Sequence, residues 1–238
     1  MRCFVFLLLL SIAGKSYGQT TFNGWFATNY MFKVNNKFSL HLDVQARSND
    51  QLKHFNLYFF RPGVNWHFQK NMIATVGYGW FDNRRTVGDI SGYAPEQRIW
   101  EQLILNHHAG FVPVQHRLRL EQRFITNHSV VNGEFKADGN RYANRIRYFN
   151  RAIISLKGTK PFTQGMFAAL QNEVFLNIGN KTGVNGKTFD QNRLYLATGY
   201  RFSPKFDLEA GYINQYVSGR NDAFSNNHVV QIATYLRL

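Results

Sequence analysis

Residues 116–124 read HRLRLEQRF. Arg117, Arg119, Glu121 and Arg123 place charges on every second residue, and Leu118, Leu120 and Phe124 take the opposite parity. A helix would wind those charges around its whole circumference, whereas a strand sends residues i, i+2 and i+4 to one face. The stretch is therefore a strand with one charged and one apolar face. A soluble sheet with one wet side accounts for a single strand of this kind. A transmembrane barrel, with lipid outside and a polar lumen inside, accounts for a chain built of them.

The alternation recurs. In 37–47, Phe38, Leu40, Leu42, Val44 and Ala46 oppose Lys37, Ser39, His41, Asp43, Gln45 and Arg47. In 141–157, Arg141, Arg145, Arg147 and Arg151 oppose Tyr142, Ile146, Tyr148, Ala152, Ile154 and Leu156. Leu194, Leu196, Tyr200 and Phe202 oppose Arg193 and Arg201, and Phe206, Leu208, Ala210, Tyr212 and Tyr216 oppose Asp207, Glu209 and Gln215. Val230, Ile232, Leu236 and Leu238 oppose Gln231 and Arg237. With weaker versions at 25–34, 55–68, 72–83, 98–110 and 165–178, eleven segments emerge. Most have the roughly 10–13 residues that a tilted membrane strand needs.

Short connections at Asn35-Asn36, 69–71, Val112-Pro113-Val114, 158–164 and Ser203-Pro204-Lys205 alternate with longer polar ones at 48–54, 85–97, 128–140, 179–190 and 219–226. Tight periplasmic turns and long outer loops show this asymmetry. Phe32, Phe38, Trp66, Phe68, Phe111, Phe162, Phe202 and Phe206 gather beside the short turns, as an interfacial aromatic girdle does. Strand parity is the difficulty. A barrel with both termini in the periplasm needs an even number, and residues 19–24 reach only about 20 Å when extended. The expectation is an all-β, single-domain antiparallel barrel over 19–238 with ten or twelve strands. Either the first segment lies partly in the lumen, or one strand is missed or split.

The chain opens MRCFVFLLLLSIAGKSYGQ. A basic Arg2, an apolar run from Phe4 to Ile12 and small residues at Ser16 and Gly18 predict a secretory signal peptide over 1–18. The sole cysteine, Cys3, leaves with it, so the mature chain holds neither a disulfide nor a thiol. Twenty-eight basic residues face 14 acidic ones, a formal net charge of +14. Export disfavours nucleic acid as the partner of that excess and leaves an anionic membrane surface or an anion-lined channel. The mean hydropathy is slightly negative, which half-polar barrel strands share with soluble proteins.

Several stretches resemble the family of outer-membrane barrels labelled domain of unknown function 2490. They are Trp25, Arg61-Pro62-Gly63, Gly77-Tyr78-Gly79-Trp80, EQRIWEQL at 96–103, HRLRLEQRF at 116–124, QNRLYLATGY at 191–200 and the closing HVVQIATYLRL. The resemblance covers nearly the whole mature chain, with HRLRLEQRF its most specific part. It implies an outer-membrane location and supplies no catalytic residues.

The parity sends Arg47, Arg61, Arg117, Arg119, Arg123, Arg141, Arg145, Arg147, Arg151, Arg193, Arg201 and Arg237 inward, against Asp43, Glu121, Glu173, Asp207 and Glu209. Arginine forks pair with carboxylates in bidentate fashion, so a polar plug that stiffens the wall is one reading. A narrow, positively lined pore or a pocket for a small anionic solute is the other, supported by the arginine surplus. The candidate lumen network comprises Arg47, Arg117, Arg119, Glu121, Arg123, Arg145, Arg147, Arg151, Glu173, Arg193, Arg201 and Glu209. A closed structural barrel with partner-binding outer loops is the alternative. A lipid-modifying enzyme ranks lower: the G-x-S-x-G match, Gly14 to Gly18, lies in the leader, and His128-Ser129 is an adjacent pair in a loop. His108 and His116 are placed to pair across a hairpin but lack the further ligands of a metal site. No cofactor is expected, and the expected partners are outer-membrane lipid and the anionic solute, around a monomer. Arg in place of Leu120 should cost about 2–4 kcal/mol if that face meets the bilayer midplane.

Overall fold

Strands with one apolar and one charged face have no place for an open edge, because edge N–H and C=O groups stay unpaired there. Closure into a barrel removes the edge and separates the two faces as outside and lumen. The computed structural model describes residues 19–156 and 161–238, so the signal peptide expected over 1–18 lies outside the described residues. All eleven segments form strands: β1 (Gln19–Lys33), β2 (Phe38–Ser48), β3 (Phe55–Gln69), β4 (Met72–Val87), β5 (Ile90–Ala109), β6 (Val112–Val131), β7 (Glu134–Ser155), β8 (Gly165–Ile178), β9 (Phe189–Ser203), β10 (Phe206–Ser218) and β11 (Phe224–Arg237). Each pairs with its sequence neighbour, and β1 closes the ring on β11.

The closure corrects two expectations. The barrel has eleven strands among the described residues, neither ten nor twelve, and it is not wholly antiparallel. β1 runs parallel to β11, from Gln19 opposite Ser225 to Met31 opposite Arg237. β1 already starts at the level of the long connections, so no climbing strand is needed, and an odd count follows from the parallel seam.

The connections also differ from expectation. At one end lie the turns at 34–37, 70–71, 110–111 and 204–205, with the end of β7, the start of β8 and the β11 terminus beside them; this is the turn end. Val112–Val114 is strand, and the turn there is Gly110-Phe111. At the opposite, loop end, the stretches 85–97 and 128–140 are strand and not loop. Val87 pairs with Ile90 around Gly88-Asp89, and Val131 pairs with Glu134 around Asn132-Gly133. Gly88 has φ 59°, Asn132 φ 53° and Gly133 φ 78°. Two-residue hairpins need this left-handed backbone to match strand twist, and Asn-Gly supplies it. β4–β7 thus rise beyond the rest of the rim, and connections longer than two residues at this end are 49–54, 179–188 and 219–223.

Outward side chains are mostly apolar: Leu118, Leu170, Leu196, Leu208 and Ile232 are all exposed. Glu101 places a charge on this face. It lies between Ile99 and Leu103, directly opposite Leu120, and accepts a hydrogen bond from Gln122 Nε2 at 3.2 Å. Inward, aromatic rings share the space with arginines, because eleven strands enclose more room than small aliphatic side chains fill. Trp100, Phe167, Tyr195 and Phe175 are at most 1% exposed.

The deepest packing detail lies at the β3–β4 seam. Pro62 has no N–H, and the pairing passes from Phe60–Trp80 to Gly63–Gly77 without it. The Trp100 indole N–H donates to the Tyr78 carbonyl at 3.2 Å. Its ring lies over the two glycines: a Cβ on Gly77 would stand 2.4 Å from both Trp100 Cζ2 and the Pro62 carbonyl oxygen. Gly77→Ala is therefore expected to displace Trp100 and to destabilise the barrel by about 1–3 kcal/mol. Chemical unfolding measures the loss, and Trp fluorescence reports the ring's exposure; an unchanged midpoint would contradict this packing account.

Candidate functional site

β6 and β7 supply most of the inward charge, and their register sets the pairing. Glu121 stands opposite Arg145, and Arg119 opposite Arg147. Across β7–β8, Glu173 stands opposite Phe149, and across β8–β9 it stands opposite Arg193. Each carboxylate thus has an arginine opposite it on one flanking strand and an aromatic ring on the other, Trp100 for Glu121 and Phe149 for Glu173. Glu121 Oε2 accepts from Arg145 Nε at 3.0 Å and Nη2 at 2.7 Å, and Oε1 accepts from Arg147 Nη1 at 2.6 Å. Arg98 and Arg61 approach the same carboxylate at 3.7 and 3.9 Å. Glu173 Oε1 accepts from Arg117 Nη2 and Arg147 Nη2, each at 2.7 Å. Arg145 reaches on to Asp190 at 2.8 Å. Glu96 accepts from Arg98 at 2.6 Å and from Arg123 at 2.7 Å.

Two smaller groups complete the lining. Arg151 on β7 is bonded to Glu209 on β10, a span across the lumen between strands that are not neighbours. Tyr235 Oη donates to the same carboxylate at 3.4 Å. At the turn end Asp207 holds Arg201 at 2.8 Å and Arg237 at 2.6 Å. Arg61 is also bonded to Asp43.

Guanidinium planes stack on the inward rings. Arg98 lies 3.6 Å from the Phe81 centroid, Arg47 3.7 Å from Trp25, Arg117 4.2 Å from Phe149 and Arg147 4.4 Å from Phe175. Arginine fits this role because its flat, permanently charged fork binds carboxylates at the edge and rings at the face.

Every residue of the expected lumen network points inward, but they do not form one connected set. Arg117, Glu121, Arg123, Arg145, Arg147 and Glu173 belong to the large network. Arg151 pairs with Glu209, and Arg201 with Asp207. Arg47, Arg119 and Arg193 form no salt bridge among the described residues; each bonds a glutamine oxygen, of Gln45, Gln102 and Gln191 respectively. Three charged members belong neither to the expected network nor to the other residues expected inward: Glu96, Arg98 and Asp190. The alternation in 94–106 carries the first two, since Glu96, Arg98, Trp100 and Gln102 share a parity. Asp190 turns inward at a register shift between β8 and β9, which alternation cannot foretell.

The lining encloses a cavity of about 680 Å³. It is bordered by Asn23 and Arg85 towards the loop end and by Asn106 and Arg237 towards the turn end. Phe162, expected in the outer girdle, instead sits under the lumen: Arg201 lies 4.6 Å from its ring and donates to its carbonyl at 2.9 Å. His116 pairs with His107 and not with His108, at 2.9 Å, and His116 also bonds Tyr148 Oη at 2.8 Å. His128 and Ser129 are consecutive residues of β6, so their side chains leave on opposite faces.

The family described as "Protein of unknown function (DUF2490)" matches residues 22–226. This chain belongs to the DUF2490 family. Among solved structures, the DUF2490 barrel is similar to one titled "NanC porin structure in rhombohedral crystal form", at 11% identity and a TM-score of 0.49, over 91% of this chain and 98% of that one. No curated protein matches the chain.

Proposed function

We propose that the chain is an exported outer-membrane barrel, monomeric, that serves as a narrow porin-like passage or binding barrel for a small anionic solute. The turn end faces the periplasm and the loop end faces outside. Two outward aromatic belts support membrane insertion. Tyr200, Phe202 and Phe206 form one at the turn end, and Phe189, Tyr216 and Phe224 form the other at the loop end. On β10, Phe206 and Tyr216 mark the two belts. A rise of about 3.3 Å per residue on a strand tilted about 40° sets them about 25 Å apart, the height of an outer-membrane apolar band. The lipid of that band is the partner of the outer wall, and export leaves no role for nucleic acid.

The observation that carries the solute reading is the arginine-rich cavity bordered by residues from both ends of the barrel. Fixed positive charge along such a path favours anions. Conductance of the protein in a planar bilayer under a salt gradient is expected to show stable steps with an anion-favouring reversal potential. Cation selectivity would defeat the proposal, and silence from protein shown to be folded would remove the passage and leave only a binding or closed barrel. The cross-lumen Arg151–Glu209 bond favours a second reading, a closed structural barrel whose loop end binds a partner. The same silence would support that reading. The geometry at His128-Ser129 gives a lipid-modifying activity no catalytic pair.

A further inference from the structure

Of the arginines in the expected lumen network, Arg47, Arg119 and Arg193 have no salt bridge to a carboxylate among the described residues. Arg119 is fully buried, so no solute reaches it. Arg47 and Arg193 are different: both are partly exposed and both line the cavity. They meet at one side chain. The Arg47 guanidinium carbon lies 3.7 Å from the Trp25 ring centre, and that of Arg193 lies 5.0 Å from it.

Their existing bonds are all to neutral acceptors. Arg47 Nε and Nη2 both donate to Gln45 Oε1, at 3.1 and 2.7 Å. Arg193 Nη2 donates to Gln191 Oε1 at 3.0 Å, an oxygen that also accepts from Gln215 Nε2 at 2.7 Å. Arg193 Nε is buried without a partner. Among the described residues, neither Nη1 has a hydrogen-bond partner. Two positive charges thus share one wall of a confined cavity with donors free; the carboxylates nearest them among the described residues, Asp43 and Glu173, stand beyond salt-bridge distance and are held by Arg61 and by Arg117 and Arg147. Confined charge without a partner is costly, and an anion from solution removes that cost.

We propose that Arg47 and Arg193, braced by Trp25, form the seat of a small oxyanion bearing two negative charges, a dicarboxylate or a phosphate. The guanidinium forks match either group edge-on. Trp25 fixes the planes of the forks, and the glutamines hold their inner edges, so little ordering is left for the ligand to impose. This inference rests on the anionic-solute reading and narrows it to one place and one charge class.

Calorimetric titration of the purified barrel in detergent tests it, with folding checked by heat-dependent gel mobility. The probes are succinate, inorganic phosphate in its dianionic form, and acetate. A dianion is expected to bind more tightly than acetate; succinate alone, or phosphate alone, would identify the source of the charge. Arg47→Gln and Arg193→Gln should each weaken that binding roughly tenfold or more, and the double variant should lose it. Equal affinity for acetate, an unchanged double variant, or no binding by folded protein would overturn the seat. Anion-favouring conductance without dianion binding would sink the seat and keep the passage. Dianion binding in a barrel that conducts nothing would keep the seat and sink the passage.

Discussion

Glu121→Gln is expected to destabilise the barrel by about 3–5 kcal/mol, the cost of removing one partner from a buried ion pair. The glutamine keeps the shape and loses the charge. Glu121 is fully buried and is touched by Arg145 and Arg147 at hydrogen-bond distance, with Arg98 and Arg61 just beyond. Two of its strongest bonds come from adjacent β7 positions on the same face, so one carboxylate sets the spacing of two guanidiniums. The glutamine amide would also point N–H groups at cations that offer no acceptor. Arg117→Gln should cost less, because Arg117 stands at the edge of the network and Glu173 keeps Arg147. Urea-induced unfolding in lipid vesicles measures both. A loss below about 1 kcal/mol at Glu121 would place the network with solvent-screened surface pairs and rule out a rigid lumen wall.

The second large effect belongs to the outer wall. Leu196→Arg is expected to cost about 2–4 kcal/mol, the penalty for arginine at the midplane of a lipid-facing barrel wall. Leu196 is 52% exposed and lies between Phe189 and Phe202, the aromatic ends of β9. Its cross-strand neighbours are Leu170 and Tyr212, so no carboxylate is at hand. The sequence pattern alone made Leu120 an equally good place for this probe. The structure changes that choice. Leu120 faces Glu101 directly across β5–β6, and an arginine there gains an ion-pair partner. Leu120→Arg should therefore be the milder of the two. Equal costs would mean that Glu101 gives no relief, and no cost at Leu196 would remove the bilayer from the outer face.

The site was legible in proportion to how local its determinants are. Alternation assigned Arg117, Glu121, Arg145 and Glu209 to the lumen, because the two-residue period is a property of each strand alone. The same rule applied to 94–106 reaches Glu96 and Arg98. The Asn132-Gly133 dipeptide is a strong hairpin signal that argues against a loop over 128–140. Asp190 was beyond this reasoning, since a register shift turns it inward. The inward rings at Phe59, Phe81 and Phe175 follow the parity, but their role as stacking partners depends on which guanidinium the neighbouring strand brings over them.

By itself, the sequence determined that its amphipathic segments have one charged and one apolar face, because face is settled by parity within a segment, while the number of strands in the ring was left open between ten and twelve. It also determined an excess of inward arginine over inward acid. Only the tertiary structure decided that β1 closes on β11 in parallel, because that seam joins residues more than 200 positions apart. Only the tertiary structure divided the arginines into those with a carboxylate and those without. Pairing depends on register between strands and on reach across the lumen, and neither is written in the period of a single strand.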